Sequence, residues 1–198
     1  PDLMGWQGLG LAVQAYQRRA LTVIENLVAL GLETSHRFRV RLVKGAYWDS
    51  EVKWAQERGL KDFPVFTRKA VTDVSYLACA RLMLENPQVI FSAFATHNAH
   101  TIAAIQHMAG THAYEFQCLY GMGTRFYEYL LGENKIQMPV RQYAPVGIYE
   151  DLLPYLVRRL LENGANSSFL HLLHIDGQSP GDDALTAQQI VADPIEKV

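Results

Sequence analysis

Short runs of apolar and β-branched residues alternate along this chain with longer segments whose apolar positions recur at helical spacing. Runs of strand type are predicted at residues 9–16, 37–45, 89–97, 114–121 and 140–147. Helical periodicity predicts helices at residues 18–31, 49–58, 69–84, 99–109, 124–133 and 149–163, the last one closed by Gly164. This alternation of strand and helix predicts a parallel sheet and an α/β fold.

Polar side chains gather at the carboxyl ends of these strands: Gln14, Lys44, Thr96, His97, Gln117 and Tyr143. Because several strands contribute, the pattern favours a (βα)8 TIM-type barrel over a doubly wound sheet. A barrel needs eight strands and roughly 250 residues, so we expect about three N-terminal units to be missing. Residues 1–175 are assigned to the C-terminal portion of the barrel, and the polar, turn-rich residues 176–198 to a linker or tail toward a following domain.

Composition describes an ordinary globular protein, with 198 residues, 49% of them hydrophobic, and a formal net charge of -2. The lysines and arginines form no basic run, so nucleic acid is not an expected partner. Cys79 and Cys118 form neither a disulfide framework nor a CxxC pair and are expected to be buried. Without a stretch of about 20 apolar residues, the expected location is cytoplasmic. We also expect the 198 residues alone not to form a stable monomer, because an open barrel exposes a strand edge.

The predicted strand at 37–45 is unusual because arginines alternate with apolar residues where a barrel strand should be almost entirely apolar. We expect Arg37 and Arg39 to pair with carboxylates at the barrel floor or to reach outward. Arg41 and Lys44 lie nearer the carboxyl end of the strand and are expected to face a ligand.

The segment "THNAH" (96–100) leaves two readings open. His97 and His100 could bind a metal, which would suit a metal-dependent barrel hydrolase. The plainer reading has His97 hydrogen-bonding at the strand end and Asn98 capping the next helix. No metal ligands are assigned.

Two helix starts carry candidate chemistry. "GAYWDSEVK" places aromatic residues beside Asp49 or Ser50 as N-cap. "TRK" makes Thr67 a candidate N-cap and that helix start a candidate phosphate site. No GxGxxG motif joins a strand to a helix, so a Rossmann dinucleotide fold is not indicated.

Adjacent arginines interrupt the segment "YLVRRLLENGAN" (155–166). Successive residues on a helix point about 100° apart, so Arg158 and Arg159 cannot both reach solvent if Tyr155 and Leu156, like the leucines at 160 and 161, face a core. At least one arginine is therefore expected to meet an anion.

Taken together, "RLVKGAYWDSE", "TRK", "ATHNAHT", "YEFQCLYGMG", "YAPVG" and "YLVRRLLENGANSSF" resemble the proline dehydrogenase domain of the bifunctional proline utilisation A flavoenzymes, in order over about residues 5–195. The resemblance implies a barrel that holds FAD and oxidises L-proline to pyrroline-5-carboxylate by hydride transfer to flavin N5. It further implies electron transfer to a membrane quinone at the inner face of the cytoplasmic membrane, and an aldehyde dehydrogenase module downstream. This is the first step of proline catabolism.

The resemblance also implies roles for individual residues. As catalytic residues it implies Arg41, Tyr143, Arg158 and Arg159, the last two as a clamp on the proline carboxylate. Around the substrate it implies Ala46, Tyr47, Leu119, Tyr143, Tyr155, Arg158 and Arg159. Along FAD it implies Gln14, Arg41, Lys44, Ala46, Trp48, Thr67, Lys69, Thr96, His97, Arg159, Glu162, Ser168 and Phe169. Glu162 would also hold the arginine pair. The family's site further uses a lysine and an aspartate from upstream strands that these 198 residues lack, so a non-catalytic barrel fragment stays an alternative.

Overall fold

A computed structural model describes residue 6 and residues 8–164, and one parallel sheet organises them. The strands are β1 (Gly10–Gln14), β2 (Phe38–Val43), β3 (Ile90–Ala95), β4 (Tyr114–Leu119) and β5 (Val140–Tyr143). The helices are α1 (Ala20–Thr34), α2 (Trp48–Glu57), α3 (Lys69–Leu84), α4 (Ala99–Ala109), α5 (Thr124–Gly132) and α6 (Tyr149–Gly164). Every predicted strand and helix within this range is confirmed, and the fold class is α/β.

The strands follow one another in the sheet in the order of the chain, and each neighbouring pair is parallel. In this register Ala12, Arg41, Ala93 and Glu115 form one row across the sheet. A doubly wound sheet would reverse its strand order partway, whereas strands that advance in one direction are what a barrel requires. Closure of the sheet into a complete barrel stays a prediction.

Alternation along the strands separates an apolar face from a polar one. Val40, Leu42, Phe94 and Phe116 are fully buried and join residues of α1, α3 and α4 in the hydrophobic core. The opposite face, here called the inner face, carries Arg39, Arg41, Glu115, Gln117 and Arg141. Helices α1, α3 and α4 therefore cover one face of the sheet, and the charged side chains of the strands lie on the other.

Helix α1 runs three residues beyond its predicted end. Gly31 lies inside the helix and does not end it. A glycine is needed at this position because a Cβ at Gly31 would lie 2.7 Å from Val89 Cβ. Ser35 instead ends the helix in the left-handed region, with φ of 52°. Gly164 was likewise predicted as a cap and is the last helical residue of α6.

Two predicted N-caps are wrong, by two or three residues at α2 and by one residue at α3. Tyr47, not Asp49 or Ser50, precedes α2, so Asp49 lies in its first turn, where a carboxylate favours the positive end of the helix dipole. Arg68, not Thr67, precedes α3 in extended conformation and makes no side-chain cap. Short polar side chains near a helix start mark its position only to within a residue or two.

Both cysteines are free and buried, as predicted. Burial raises the pKa of Cys79 to about 11, which keeps it a neutral thiol. Within the described residues, no helix has the length and apolar character needed to span a membrane.

Asn98 caps α4, as predicted, with its Oδ1 accepting from Thr101 N–H at 2.9 Å and from Thr101 Oγ1 at 3.1 Å. In the full-length protein, Asn98→Ala should lower the opening free energy of the first α4 amides by about 1 kcal/mol. Native-state hydrogen exchange measures this. Asn98→Asp keeps an acceptor and should retain most of the protection, and equal protection in the alanine variant would contradict the cap.

Candidate active site

The carboxyl edge of the sheet brings Arg41 and Tyr143 together from strands that are not neighbours. Arg41 lies two residues before the end of β2, and Tyr143 is the last residue of β5. The guanidinium carbon of Arg41 lies 3.9 Å from the centroid of the Tyr143 ring, which is a cation–π contact. Burial raises the pKa of Tyr143, and the charges of Arg41 and Arg159 only partly offset that rise. Tyr143 is therefore a neutral hydrogen-bonding group near pH 7.

Helix α6 presents Tyr155, Arg158 and Arg159 on one side, since residues three and four apart lie on one helix face. The Arg158 guanidinium lies 4.9 Å from the centroid of the Tyr47 ring, at the start of α2. That of Arg159 lies 5.8 Å from the Tyr47 ring and 5.0 Å from the Tyr155 ring. The arginine pair is thus half-buried among aromatic faces, as its sequence context suggested.

Leu156 corrects one part of the expectation for α6, because it is 45% exposed instead of facing a core. The partial burial of the arginines therefore comes from the tyrosines and not from an apolar surface on both sides. The side chain of Glu162, together with Ser168 and Phe169, lies outside the residues whose side chains the structure describes.

Two guanidinium nitrogens at this edge are buried without a hydrogen bond. Within the described part of the chain, Nε of Arg41 and Nε of Arg158 have no acceptor. Neither arginine has an ion pair with a carboxylate there. An unpaired buried donor is costly, so an anionic group brought to this place would be stabilised.

The arginines lower on the inner face, by contrast, are matched inside the protein. Glu115 is buried and accepts hydrogen bonds from Arg141 Nε and Nη2 at 3.0 Å, and its Oε2 lies 3.6 Å from Arg39 Nη2. Gln117 Nε2 also donates to Glu115, at 2.7 Å. Burial alone would raise the pKa of Glu115, but these hydrogen bonds and charges outweigh it and lower the pKa. Pairing of Arg39 with a carboxylate was predicted, whereas Arg37 lies over the Phe91 ring at 5.4 Å.

The residues that the resemblance places along FAD follow the rim from β1 to α3. Gln14 ends β1, and Lys44 and Ala46 are half-buried just beyond β2. Trp48 Nε1 donates to the Phe66 carbonyl at 2.9 Å, which ties the start of α2 to the segment before α3. Thr67 and Lys69 are exposed where α3 begins.

Asp73 on α3 was not predicted and joins two of these cations. Its Oδ1 forms an ion pair with Lys44, and its Oδ2 lies 3.4 Å from Lys69 Nζ. The spacing of Lys69 and Asp73, four residues apart on a helix, could have indicated the second contact. The first depends on tertiary packing, since Lys44 and Asp73 are far apart in sequence.

His97 is packed tightly at the end of β3. Its ring centroid lies 6.0 Å from that of Tyr127, and a Cβ at Gly123 would lie 2.4 Å from its Cδ2. Tyr127 donates to the carbonyl of Thr96 at 2.5 Å, and Asn98 N–H donates to the Thr96 hydroxyl at 3.2 Å. Burial lowers the pKa of His97, partly opposed by a backbone hydrogen bond at Met122, so the imidazole is neutral near pH 7.

The described residues contain no cluster of three or more histidine, cysteine, aspartate or glutamate side chains arranged to hold a metal ion. His97 and His100 therefore gain no further ligand from this part of the fold.

A parallel sheet whose strands advance in one direction, with cationic and aromatic side chains at its carboxyl edge, defines an α/β domain with a candidate active site at that edge. The family model for proline dehydrogenase matches residues 1–172. The chain therefore belongs to the proline dehydrogenase family.

The chain is similar to proteins named proline dehydrogenase and to proteins named bifunctional PutA. The chain is 53% identical over 205 aligned residues to the bifunctional protein PutA of Salmonella typhimurium, covering 100% of this chain and 15% of that protein. A crystal structure of a Bradyrhizobium japonicum Proline Utilization A mutant matches with a TM-score of 0.87 and 50% identity, over 100% of this chain and 20% of that one. PutA from Bdellovibrio bacteriovorus inactivated by N-propargylglycine matches with a TM-score of 0.84 and 36% identity, with the same coverage. The chain thus spans less than a quarter of the length of these proteins.

The ion network of Glu115 generates a pH prediction. Because the pKa of Glu115 is lower in the folded than in the unfolded protein, its stabilising effect is complete above the unfolded value and is lost as the pH falls through the folded value. Glu115→Gln in the full-length protein should lower the urea midpoint at pH 7, and the difference should shrink below about pH 4.3.

Glu57→Gln is a matched control, because Glu57 forms only an exposed ion pair with Lys53 at 3.7 Å. It should change the midpoint little at either pH. A loss for Glu115→Gln that is the same at pH 7 and pH 3 would show that the network contributes through shape and not charge.

Proposed function

We propose that the protein to which this chain belongs oxidises L-proline to pyrroline-5-carboxylate with FAD as cofactor. Membership of the proline dehydrogenase family supports the reaction. The observation that carries the proposal is the contrast between the two sets of arginines. Glu115 pairs with Arg39 and Arg141 lower on the inner face, whereas Arg41 and Arg158 at the edge lie over tyrosine rings, and their buried Nε donors have no acceptor among the described residues.

A carboxylate is the substrate group that this edge suits best. Guanidinium groups bind carboxylates through paired, charge-assisted hydrogen bonds, and these strengthen where water is excluded. The rings of Tyr47 and Tyr155 lie within 4.9–5.8 Å of the guanidinium carbons of Arg158 and Arg159, and these cation–π contacts help to position the donors before a ligand arrives. In this proposal the arginine pair clamps the carboxylate of proline. The apolar surface for the ring comes from Ala46, Tyr47, Leu119, Tyr143 and Tyr155.

The residues present also fit a flavin. Arg41 supplies positive charge, which suits the electron-rich part of the ring system, and Lys44 and Lys69, which share the carboxylate of Asp73, are assigned toward the phosphates. The buried Nε atom of Arg41 still lacks an acceptor among the described residues, as would be expected if a ring atom of the cofactor completes its hydrogen bonds. We assign Gln14, Ala46, Trp48, Thr67, Thr96, His97, Arg159, Glu162, Ser168 and Phe169 to the same cofactor site on the resemblance alone.

The cofactor, when bound, would take the hydride from the substrate ring at flavin N5. The chain's own residues bind the substrate carboxylate, stack against its ring and keep positive charge at Arg41, where negative charge develops. Neutral Tyr143, under the charge of Arg41, can donate a hydrogen bond without gaining or losing a proton near pH 7. The function of this edge is therefore orientation and electrostatic stabilisation.

The rest of the proposal concerns the longer protein. Its additional strands would close the barrel and supply the lysine and aspartate of the family's site. We further propose a membrane quinone as electron acceptor, a downstream aldehyde dehydrogenase module, and a cytoplasmic protein that docks at the inner face of the membrane. The bifunctional names of the relatives support the second module.

The test of this function uses the full-length protein. Purified protein should show flavin absorbance near 450 nm (roughly), and anaerobic L-proline should bleach it. N-propargylglycine, which inactivates the Bdellovibrio relative, should abolish the bleaching. Bound zinc with no flavin, and hydrolysis in place of proline oxidation, would favour the metal-dependent hydrolase.

The arginine clamp has its own prediction. Arg158→Met or Arg159→Met removes a contact whose loss typically costs about 2–5 kcal/mol in a desolvated site, so the KM for proline should rise at least about tenfold. Inhibition by a tetrahydrofuran carboxylic acid should weaken in parallel, while a ring analogue without the carboxylate should lose little. Flavin content should be unchanged. Early melting with unchanged KM and inhibition would mean that the pair has only a structural role.

Arg41 should behave differently from the clamp. Arg41→Met removes positive charge from the place where the flavin is reduced, so the rate of flavin reduction at saturating proline should fall more than proline binding does. Stopped-flow measurement of the absorbance change gives both quantities. Arg39→Met is the matched control on the same strand, and it should destabilise the Glu115 network while leaving the reduction rate close to that of the wild type.

A further inference from the structure

Tyr16 lies just beyond β1 and joins two other segments through its backbone. Its N–H donates to the carbonyl of Lys44 at 2.8 Å, and its carbonyl accepts from Phe66 N–H at 2.8 Å. Its side chain is only 3% exposed. The residue therefore occupies a fixed position between the turn that follows β2 and the segment that precedes α3.

The Tyr16 ring lies directly against Gly45. A Cβ at Gly45 would come within 2.5 Å of the ring atoms Cγ and Cδ1 of Tyr16, which is closer than such atoms can approach. Gly45 also has φ of 130°, a conformation that side chains disfavour. The conformation of the turn after β2 thus depends on the glycine at position 45 and on the Tyr16 ring that packs against it.

This turn leads directly to the site. Gly45 is followed by Ala46 and by Tyr47, the residue that precedes α2 and whose ring lies across Arg158 and Arg159. A shift of the turn would displace the Tyr47 ring, and the ring orients the guanidinium groups. A continuous series of contacts therefore runs from Tyr16 through Gly45 and Tyr47 to the arginines of α6.

We propose that Tyr16 is a positioning residue for the carboxylate clamp, acting through the packing of its ring on Gly45. The buried hydroxyl makes no hydrogen bond of good geometry among the described residues, but it lies near the Tyr47 backbone, which partly opposes the rise in the pKa of Tyr16 that burial causes. The ring packs on Gly45 and the hydroxyl lies at Tyr47, so the two contacts of the side chain on the turn have to be tested separately. The inference rests on the proposed function, because it assigns the arginine pair to the substrate.

The ring and the hydroxyl can be separated experimentally in the full-length protein. Tyr16→Leu removes the ring, and we expect the Kd of a tetrahydrofuran carboxylic acid, titrated by flavin absorbance, to rise about tenfold. Flavin content and the reduction rate at saturating proline should stay close to wild type. Tyr16→Phe keeps the ring and should leave the Kd within about twofold. Equal weakening in both variants would overturn the packing role, because the hydroxyl would then be responsible.

A double-mutant cycle tests the contact with Gly45. Gly45→Ala should weaken the inhibitor at least as much as Tyr16→Leu, since the new Cβ meets the ring. Combined with Tyr16→Leu, the alanine should cost less than it does alone, because the space is free. Tyr129→Leu, at a 54% exposed tyrosine on α5, is the control and should leave the Kd unchanged. Additive effects in the cycle would contradict the inference.

Hydrogen exchange separates this inference from the proposed function. Amides of residues 44–48 should exchange faster in Tyr16→Leu than in Tyr16→Phe, whatever the protein oxidises. If the wild type does not bind the inhibitor or oxidise proline, the proposed function fails, and the assignment of Tyr16 to a substrate clamp fails with it. If proline is oxidised but Tyr16→Leu changes neither the exchange nor the Kd, only the inference about Tyr16 fails.

Discussion

Positive charge on the inner face of the sheet is the constraint on which the rest of the site depends. An arginine removed from water needs an anion, an aromatic face or both. Lower on this face the buried group is the carboxylate of Glu115, and the exposed side chains of Arg39 and Arg141 pair with it. At the carboxyl edge, Arg41 and Arg158 lie over tyrosine rings instead. A carboxylate therefore pairs with the cations at one level of the sheet, and at the edge the cations face aromatic rings.

This separation follows from the way the strands are ordered. Helices α1, α3, α4 and α5 pack on one face and leave alternate strand residues on the other, where arginine, glutamate and glutamine can contact one another. Parallel strands also end at the same edge, so Arg41 and Tyr143 meet although β2 and β5 are not neighbours. Helix α6 and the turn at Gly45 then bring the remaining aromatic and cationic groups to that edge.

Much of this could be predicted because it depends on local pattern. Every strand and helix of the described range was predicted, since apolar periodicity reports burial directly. Asn98 was predicted as a cap because its side chain bonds to its own helix. The N-caps of α2 and α3 were wrong because neither helix start uses a side-chain cap, so the short polar residues nearby did not mark it. Asp73 and Tyr16 were missed, since their partners are distant in sequence or contact them through a glycine backbone.

The sequence by itself determined the α/β class, the order of the elements, the family resemblance and the candidate residues of the edge. The reason is that helical and strand periodicities, like long motifs, depend on residues close together in the sequence. Only the tertiary structure decided which arginines are neutralised by Glu115 and which lie over tyrosines, and that Lys44 pairs with Asp73. These are contacts between side chains from different strands and helices, and the packing of the sheet and its helices sets their distances.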